Sequence, residues 1–417
     1  MRSFESDNIC DYVQELERIK NVAKYLRSLK TGNETEWKAA AEWHLKYGNL
    51  NGQQVLALTI TLSPTGCEWA RQGGCTMCGE FEGALKRTVL IENPQFHIAQ
   101  FVCSMVNNDV WKAVRKEAKN ISWLRIVQEG NYTNINEMNS FSQQTILKLA
   151  TKFDGIRRVT IESRPQYLCE DTVSVLAEIF TETDVELEIG MGVEAQNEIV
   201  RNVCVNKQNT KEQFMNAVNL LKSYNVKPLA YILIKPPFLT EQEAIDEAVA
   251  TAHFAVSIGF ERISFEPMSI HANTVVEALT QTGDYKTPWL WSVIEVAKQC
   301  ADITKYFGIG GVGYYPIPMN YAHNYCDDTD DCNKKVCEAI KNYNESRDVS
   351  CLSELSCSCQ TLWKKDCTIS SLSLKKRIQE QLTRVEQLLP TYQAKELPKN
   401  CTMRDLRIIA SGAQHSG

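Results

Sequence analysis

No stretch of 18 apolar residues occurs anywhere in the 417-residue chain, so a membrane-spanning helix is not expected. Residues 1–20 lack the apolar centre of a secretory signal and carry Glu5, Asp7, Asp11, Glu15 and Glu17, so a cytoplasmic setting is expected. An excess of positive charge is missing too. The 45 Lys and Arg face 51 Asp and Glu, a net charge of −6, and such a surface exerts no general pull on phosphates. Internal repeats and low-complexity runs are absent. So are the phosphate-binding loop, the His-Glu-x-x-His zinc motif and the Gly-x-Ser-x-Gly nucleophile turn. With 43% hydrophobic and 23% charged residues, the composition is globular and excludes a disordered chain, a collagen-like fibre and a coiled coil. The length allows two or three domains.

What the chain does have is cysteine, 16 residues of it. Structural disulfides are rare in a reducing compartment, so metal or cluster ligation is the leading use. Apolar spacing at helical period predicts helices over 11–28 and 35–47, the second from Trp37, Ala40, Ala41 and His44. The β-branched run 55–62 then reads as a buried parallel strand entering a loop. Further strands are expected at 123–127, 158–162, 186–190, 229–234 and 262–266. Helices are expected between them at 96–107, 144–153, 171–180, 211–224 and 241–257. Six strands separated by helices imply βαβ units around a parallel sheet. Polar residues crowd the strand ends, where parallel α/β folds build their sites. Gly308 to Gly313 reads as a close-packed turn, 334–343 as a helix, and 372–389 as a helical tail stopped by Pro390.

Three cysteines fall in the loop after the first of these strands: Cys67, Cys75 and Cys78, with Gly73, Gly74 and Gly79 among them. Thiolates must converge on a cubane's corners, and a C-x-x-C step supplies two adjacent ones. Three ligands leave one iron open to a substrate or cofactor. A zinc knuckle with its fourth ligand elsewhere is the other reading of the spacing, although small zinc modules rarely sit in a βα loop.

The loop Gly74-Cys75-Thr76-Met77-Cys78-Gly79, with Glu162-Ser163-Arg164-Pro165, Glu188-Ile189-Gly190-Met191-Gly192-Val193-Glu194 and Lys235-Pro236-Pro237-Phe238, resembles the radical S-adenosylmethionine (SAM) superfamily. Within it, the chain resembles the archaeosine-synthesis radical lyases, relatives of the Elongator catalytic subunit and the methylthiotransferases. The similarity spans roughly residues 35–365, and the C-x7-C-x2-C spacing departs from the usual C-x3-C-x2-C.

The resemblance implies a partial (β/α)6 barrel of TIM type over 51–315, an N-terminal helical segment over 1–50, and a Cys-rich metal-binding and helical region over 316–417. It implies a [4Fe–4S] cluster on Cys67, Cys75 and Cys78, with SAM chelating the open iron and giving a 5′-deoxyadenosyl radical. Gln128, Glu129 and Gly130 match the position that holds the methionine amino group. Glu162 matches a carboxylate that bonds the ribose. Arg164 would pair with the methionine carboxylate or with Glu162. Glu194 lies near the ribose or substrate, or serves as a helix-terminal charge. Lys207 and Lys235 are further candidates, the latter equally a surface lysine.

Towards the C-terminus, Cys326, Cys332, Cys357 and Cys359 fall as two pairs around a helical stretch, as in a structural zinc site, and at positions where the family has cysteines. An auxiliary cluster is the rival, with Cys337, Cys351 and Cys367 in reserve; free cysteines are the bland reading. Cys10, Cys103, Cys169, Cys204, Cys300 and Cys401 are read as small core residues. The implied activity is C–N bond cleavage in a lysine-modified deazaguanine of transfer RNA, with flavodoxin or ferredoxin as electron donor. A small molecule or peptide is the alternative substrate, and a non-catalytic zinc module the alternative from another class.

Overall fold

The computed structural model describes residues 8–29, 41–62, 66–79, 95–117, 120–128, 130–304, 306–312, 320–326, 331–369 and 372–392. Eight strands form one curled half-barrel sheet in sequence order. They are β1 (Glu42–Leu50), β2 (Gln53–Leu62), β3 (Ile121–Gln128), β4 (Arg158–Glu162), β5 (Glu186–Glu194), β6 (Lys227–Ile234), β7 (Arg262–Pro267) and β8 (Phe307–Ile309). Only β1 and β2 pair antiparallel; every later neighbour is parallel. The described helices are α1 (Val13–Ser28), α2 (Phe96–Met105), α3 (Asn108–Lys116), α4 (Ser140–Ala150), α5 (Glu170–Glu178), α6 (Lys211–Ser223), α7 (Glu241–Ser257), α8 (Val275–Gln281), α9 (Leu290–Cys300), α10 (Cys332–Ser346), α11 (Gln360–Thr368) and α12 (Leu374–Leu388). None of them is long and apolar enough to cross a membrane.

The six strands expected from sequence are β2 to β7. The helix expected over 35–47 is not there: residues 42–50 are β1, and 35–40 lie outside the described residues. Trp43, Leu45 and Tyr47 alternate onto the apolar core, a period of two that overrides the three- and four-residue spacing. Asn51 and Gly52, with φ of 53° and 87°, make the two-residue turn that folds β1 onto β2. The turn expected at Gly308 begins instead with the short strand β8. Cys204 and Cys300 are buried as expected, but Cys10, Cys103 and Cys169 are exposed, and Cys401 lies outside the described residues.

Alternation also sorts the two faces of the sheet. Outward residues such as Leu58, Ile60, Leu124, Ile126, Val159, Ile161, Ile232 and Phe265 join one core with α2 and α4 to α7. Burying each such side chain contributes roughly 1.5–3 kcal/mol. The intervening residues face the lumen, and many of them are polar. Low in the lumen, Glu188 receives both guanidinium arms of Arg262 (2.8 and 2.6 Å) and the Thr160 hydroxyl (2.7 Å). Arg158 bridges Glu186 (2.6 Å) and Glu188 (3.4 Å), and Arg262 lies over the Trp123 ring.

Two edges remain, at β1 and β8, and α10 covers both. The Asn344 side chain donates to Ile309 O (2.8 Å) and accepts from Ile309 N (2.9 Å), taking the place of a neighbouring strand. Tyr343 and Arg347 donate to Phe307 O. On the other side, Asn49 donates to Glu345 O (3.0 Å) and Gln54 to the Glu345 carboxylate (2.9 Å). A second core joins α1 and α12 through Ile19, Val22 and Leu26 against Ile378, Leu382 and Val385, and Cys75 and Met77 pack on it.

Burial alone would raise the Glu188 pKa, but Arg262 and then Arg158 bring it down to about 2. A depressed carboxylate pKa gives stability that is present above the unfolded carboxylate range and lost as pH falls towards the folded value. Glu188→Ala should therefore lower stability at pH 7 by about 3–5 kcal/mol, because it strands the buried Arg262 guanidinium and leaves Arg158 with Glu186 alone. The gap from the parent should close as pH falls from roughly 4.3 towards about 2. Chemical denaturation across that window checks it, and a gap independent of pH would contradict the assignment.

Candidate metal centres at the barrel mouth and in the C-terminal region

At the carboxyl ends of the strands, residues 66–79 form a loop whose backbone bends at Gly66, Gly73 and Gly74, with φ of 81°, 112° and 59°. The side chains of Cys67, Cys75 and Cys78 are neither deeply buried nor fully exposed. Thr76 N donates to Val205 O (3.0 Å) and its hydroxyl to Cys204 O (2.8 Å). Trp69 donates to Asn206 O (2.9 Å), and the Asn206 amide returns a bond to Gly74 O (2.7 Å). The loop is thus stitched to residues 204–206.

From the other side, the segment after β3 grips the same loop through one carboxylate. Glu137 accepts from the backbone N–H of Glu68 (2.9 Å) and of Asn131, and from the side-chain amides of Asn131 (2.8 Å) and Asn134 (2.8 Å). Burial pushes the Glu137 pKa up, and these bonds pull it partly back. Asn131 also points an amide N–H at the Cys67 sulfur (3.7 Å). A Cβ at Gly130 would run into the Glu137 carboxylate, so a glycine is needed there. Gln128 is buried and donates to Glu137 O (3.3 Å), while Glu129 lies outside the described residues.

Cations ring the thiols. Arg164 stacks over Trp69 (5.4 Å) and donates to Lys207 O and to Asn209 Oδ1 (3.1 Å). Its partner is not Glu162, one of the two expected from sequence. Lys207 pairs with Glu194 (2.7 Å), both buried; burial opposes the lysine charge, but Glu194 and then Cys75 outweigh it. Burial raises Cys67, and Arg164 is the charge that opposes this. Glu194, Asn206 and Lys235 all hold positive φ (63°, 56° and 67°), backbone strain concentrated at the mouth. Lys235 turns to Glu241 (2.6 Å) on α7. Glu162 faces the lumen, where it accepts from Tyr231 (2.6 Å) and lies 3.8 Å from Arg125. The structure therefore gathers Cys67, Cys75, Cys78, Gln128, Gly130, Arg164, Glu194 and Lys207 about one loop, with Glu162 below and Lys235 to the side.

Sequence reasoning passed over Glu137 and Asn134, and met Asn131 only as the end of the Gln128-Glu129-Gly130-Asn131 segment, although asparagine is dense from 131 to 139. That density was the available signal, since asparagine bonds to nearby backbone favour ordered loops.

The C-terminal cysteines form a second, tighter group. The sulfurs of Cys326, Cys332, Cys357 and Cys359 all lie within 4.8 Å of one another. Cys326 and Cys357 are 3.5 Å apart, and Cys332 and Cys359 are 3.7 Å apart. Trp291 Nε1 donates to the Cys359 sulfur (3.1 Å) and Asn324 to that of Cys332 (3.3 Å), the outer contacts a thiolate site uses. Cys337, Cys351 and Cys367 stand outside this group.

No family model matches the chain. It is 33% identical over 311 residues to an uncharacterized protein of Methanocaldococcus jannaschii, covering 74% of this chain and 80% of that one. It is 28% identical over 321 residues to the archaeosine synthase subunit beta of Methanosarcina acetivorans (76% and 86% covered). Against the subunit of that name in Thermococcus kodakarensis it is 27% identical over 323 residues (76% and 93%). Among solved structures, archaeal Elp3 of Methanocaldococcus infernus aligns with a TM-score of 0.44 at 12% identity, over 72% of this chain and 64% of that one.

Replacing Glu137 by Leu removes the acceptor shared by four donors, each left unsatisfied at about 1–3 kcal/mol. Amide exchange at Glu68 and Asn131 should accelerate sharply, with Glu137→Gln intermediate. Unchanged exchange at both amides would show that the carboxylate does not hold the two segments.

Proposed function

Because the chain belongs to the radical SAM superfamily, and within it to the family of the archaeosine synthase beta subunits, we propose that it is a radical C–N lyase acting on a lysine-modified deazaguanine of transfer RNA. Cys67, Cys75 and Cys78 would ligate its [4Fe–4S] cluster. The observation that carries this is three cysteines in one glycine-bent loop at the barrel mouth, with cationic side chains around them. Such a donor set fits a cluster, whose thiolates bring net negative charge into a low-dielectric site. With SAM bound, the cluster supplies one-electron chemistry that yields a 5′-deoxyadenosyl radical able to take a hydrogen atom.

The chain's own residues bind and orient. Gln128, Glu129 and Gly130 occupy the segment assigned to the methionine amino group. Arg164 and Lys207 offer positive charge to the methionine carboxylate, Glu194 holds Lys207 in place, and Lys235 remains a candidate at the side of the mouth. Below, Glu162, Tyr231, Arg125 and Glu266 present donors and acceptors to the ribose or to a polar substrate. A net charge of −6 gives the chain little attraction for RNA by itself. The relatives' name as subunits suits a companion polypeptide that brings the RNA, and a flavodoxin or ferredoxin would deliver the electron.

Zinc is the metal we assign to Cys326, Cys332, Cys357 and Cys359. A tetrahedron with Zn–S bonds of about 2.3 Å has sulfur–sulfur edges of about 3.8 Å, close to the 3.5 Å of Cys326–Cys357 and the 3.7 Å of Cys332–Cys359. A cubane binds each thiolate to a different iron and spreads the sulfurs farther.

Anaerobic reconstitution tests both sites together. Replacing Cys67, Cys75 and Cys78 by Ala should remove the iron and 5′-deoxyadenosine formation while zinc stays. Cys332→Ala should remove zinc and lower the folded yield, because structural zinc contributes folding free energy directly. Iron lost from the C-terminal variant, with zinc unchanged, would reverse the zinc assignment. Product analysis with tRNA carrying the modified base then tests the lyase; radical cleavage of SAM without base turnover would reject that substrate.

A further inference from the structure

Helix α1 lies outside the sheet, and no sequence motif gives it a task. Yet near its C-terminal end it sends one side chain into the cysteine loop. Arg27 is only 6% exposed. Its guanidinium donates to Ala70 O (2.9 Å), to Gly73 O and to Cys75 O (3.0 Å). All three carbonyls belong to the segment between Cys67 and Cys78.

The glycines make this approach possible. Positive φ at Gly73 and Gly74 turns the chain so that carbonyls on either side converge on one cation. A Cβ on Gly74 would strike both the Arg27 guanidinium and Ala70 Cα. Gly73 itself passes within reach of the α1 backbone, its would-be Cβ 3.6 Å from Lys20 O. Helix α1 is in turn fixed by α12, through the shared apolar core and the Arg18–Glu386 pair (2.8 Å). Burial works against the Arg27 charge, and the nearby Cys78, Cys75 and Cys67 work for it. A guanidinium keeps its charge in proteins, and its planar fork suits several acceptors at fixed angles.

We propose that Arg27 is a positioning residue for the cluster: it fixes the backbone between Cys67 and Cys78 through three carbonyls, and its permanent charge favours the reduced, more negative state of the bound cluster. This rests on the reading of Cys67, Cys75 and Cys78 as cluster ligands. The N-terminal helix thereby becomes part of the redox site.

Two variants separate the two roles. Arg27→Lys keeps the charge but loses the fork; Arg27→Gln keeps a donor but loses the charge. In the full-length protein without iron, amide exchange over residues 73–78 should quicken at least tenfold in both. After reconstitution, a reductive titration followed by electron paramagnetic resonance should find the midpoint of Arg27→Lys near the parent's. That of Arg27→Gln should fall by about 59 mV or more, the equivalent of tenfold in a one-electron equilibrium. Should Arg27→Gln fail to take up iron while Arg27→Lys does, the charge requirement stands. Parental exchange and parental midpoint in Arg27→Gln would overturn the proposal, as would iron lost from both variants with loop exchange unchanged. A parent that binds no cluster would sink the assignment of the cysteines instead, and the exchange measurement would still judge the clamp.

Discussion

A sheet that curls without closing leaves two rows of unpaired backbone groups, and every other feature of this molecule is arranged around that gap. The strand order runs from β1 to β8 without a crossover, so the exposed edges belong to the first and last strands. Helix α10 touches both. One asparagine side chain completes the β8 ladder at Ile309, and Glu345 takes bonds from Asn49 and Gln54 on the opposite side. The first residue of that helix is Cys332, one of the four converging cysteines. A metal there would anchor the N-terminal end of the element that bridges the gap. Its contribution to folding would thus reach the barrel, beyond the small module that binds it.

The cysteine loop meets the opposite demand. It has to be rigid, although it contains no regular structure beyond one 3-10 turn at Glu68–Gln72. Rigidity comes from outside, by contacts from three directions: residues 204–206, the Glu137 carboxylate and Arg27. Each contact satisfies backbone groups that would otherwise be orphaned in a half-buried loop. Strain at Glu194, Asn206 and Lys235 is tolerated because these neighbours over-determine the backbone.

Much of this was legible in the sequence and some was not, for definable reasons. Strand β2 declares itself as a β-branched run, β3 to β7 as short apolar segments between helical stretches, and α7 shows both its length and its Thr240 cap. The cysteine spacing marks both candidate centres. Strand β1 was obscured because Trp37, Ala40, Ala41 and His44 mimic a helical face, while Asn51-Gly52, a strong hairpin signal, was passed over. Strand β8 has three residues and glycines around it, too short to carry a period. Arg27 and Glu137 act across 46 and 69 residues of sequence separation, and no local pattern encodes such partners. Glu162 and Arg164, neighbours in the chain, were read as a possible pair. Strand β4 ends at Glu162, so Arg164 lies beyond the alternation in the turn that follows; Glu162 bonds Tyr231 and Arg164 bonds Asn209.

The lumen explains why charge, normally excluded from a barrel interior, is abundant here. Polar side chains at inward positions have to satisfy one another. Low in the lumen they do: Glu188 is 1% exposed on its side chain and holds Arg262, Arg158 and Thr160 at once. One layer higher, the same logic is left incomplete. Glu162 and Arg125 each keep 29% of the side chain exposed, and 3.8 Å separates them. Burial raises the Glu266 pKa and so favours its neutral form. The lower layer is therefore a structural floor whose charges are spent on each other. The upper layer is only partly spent on itself, through the Tyr231–Glu162 and Ser264–Glu266 bonds.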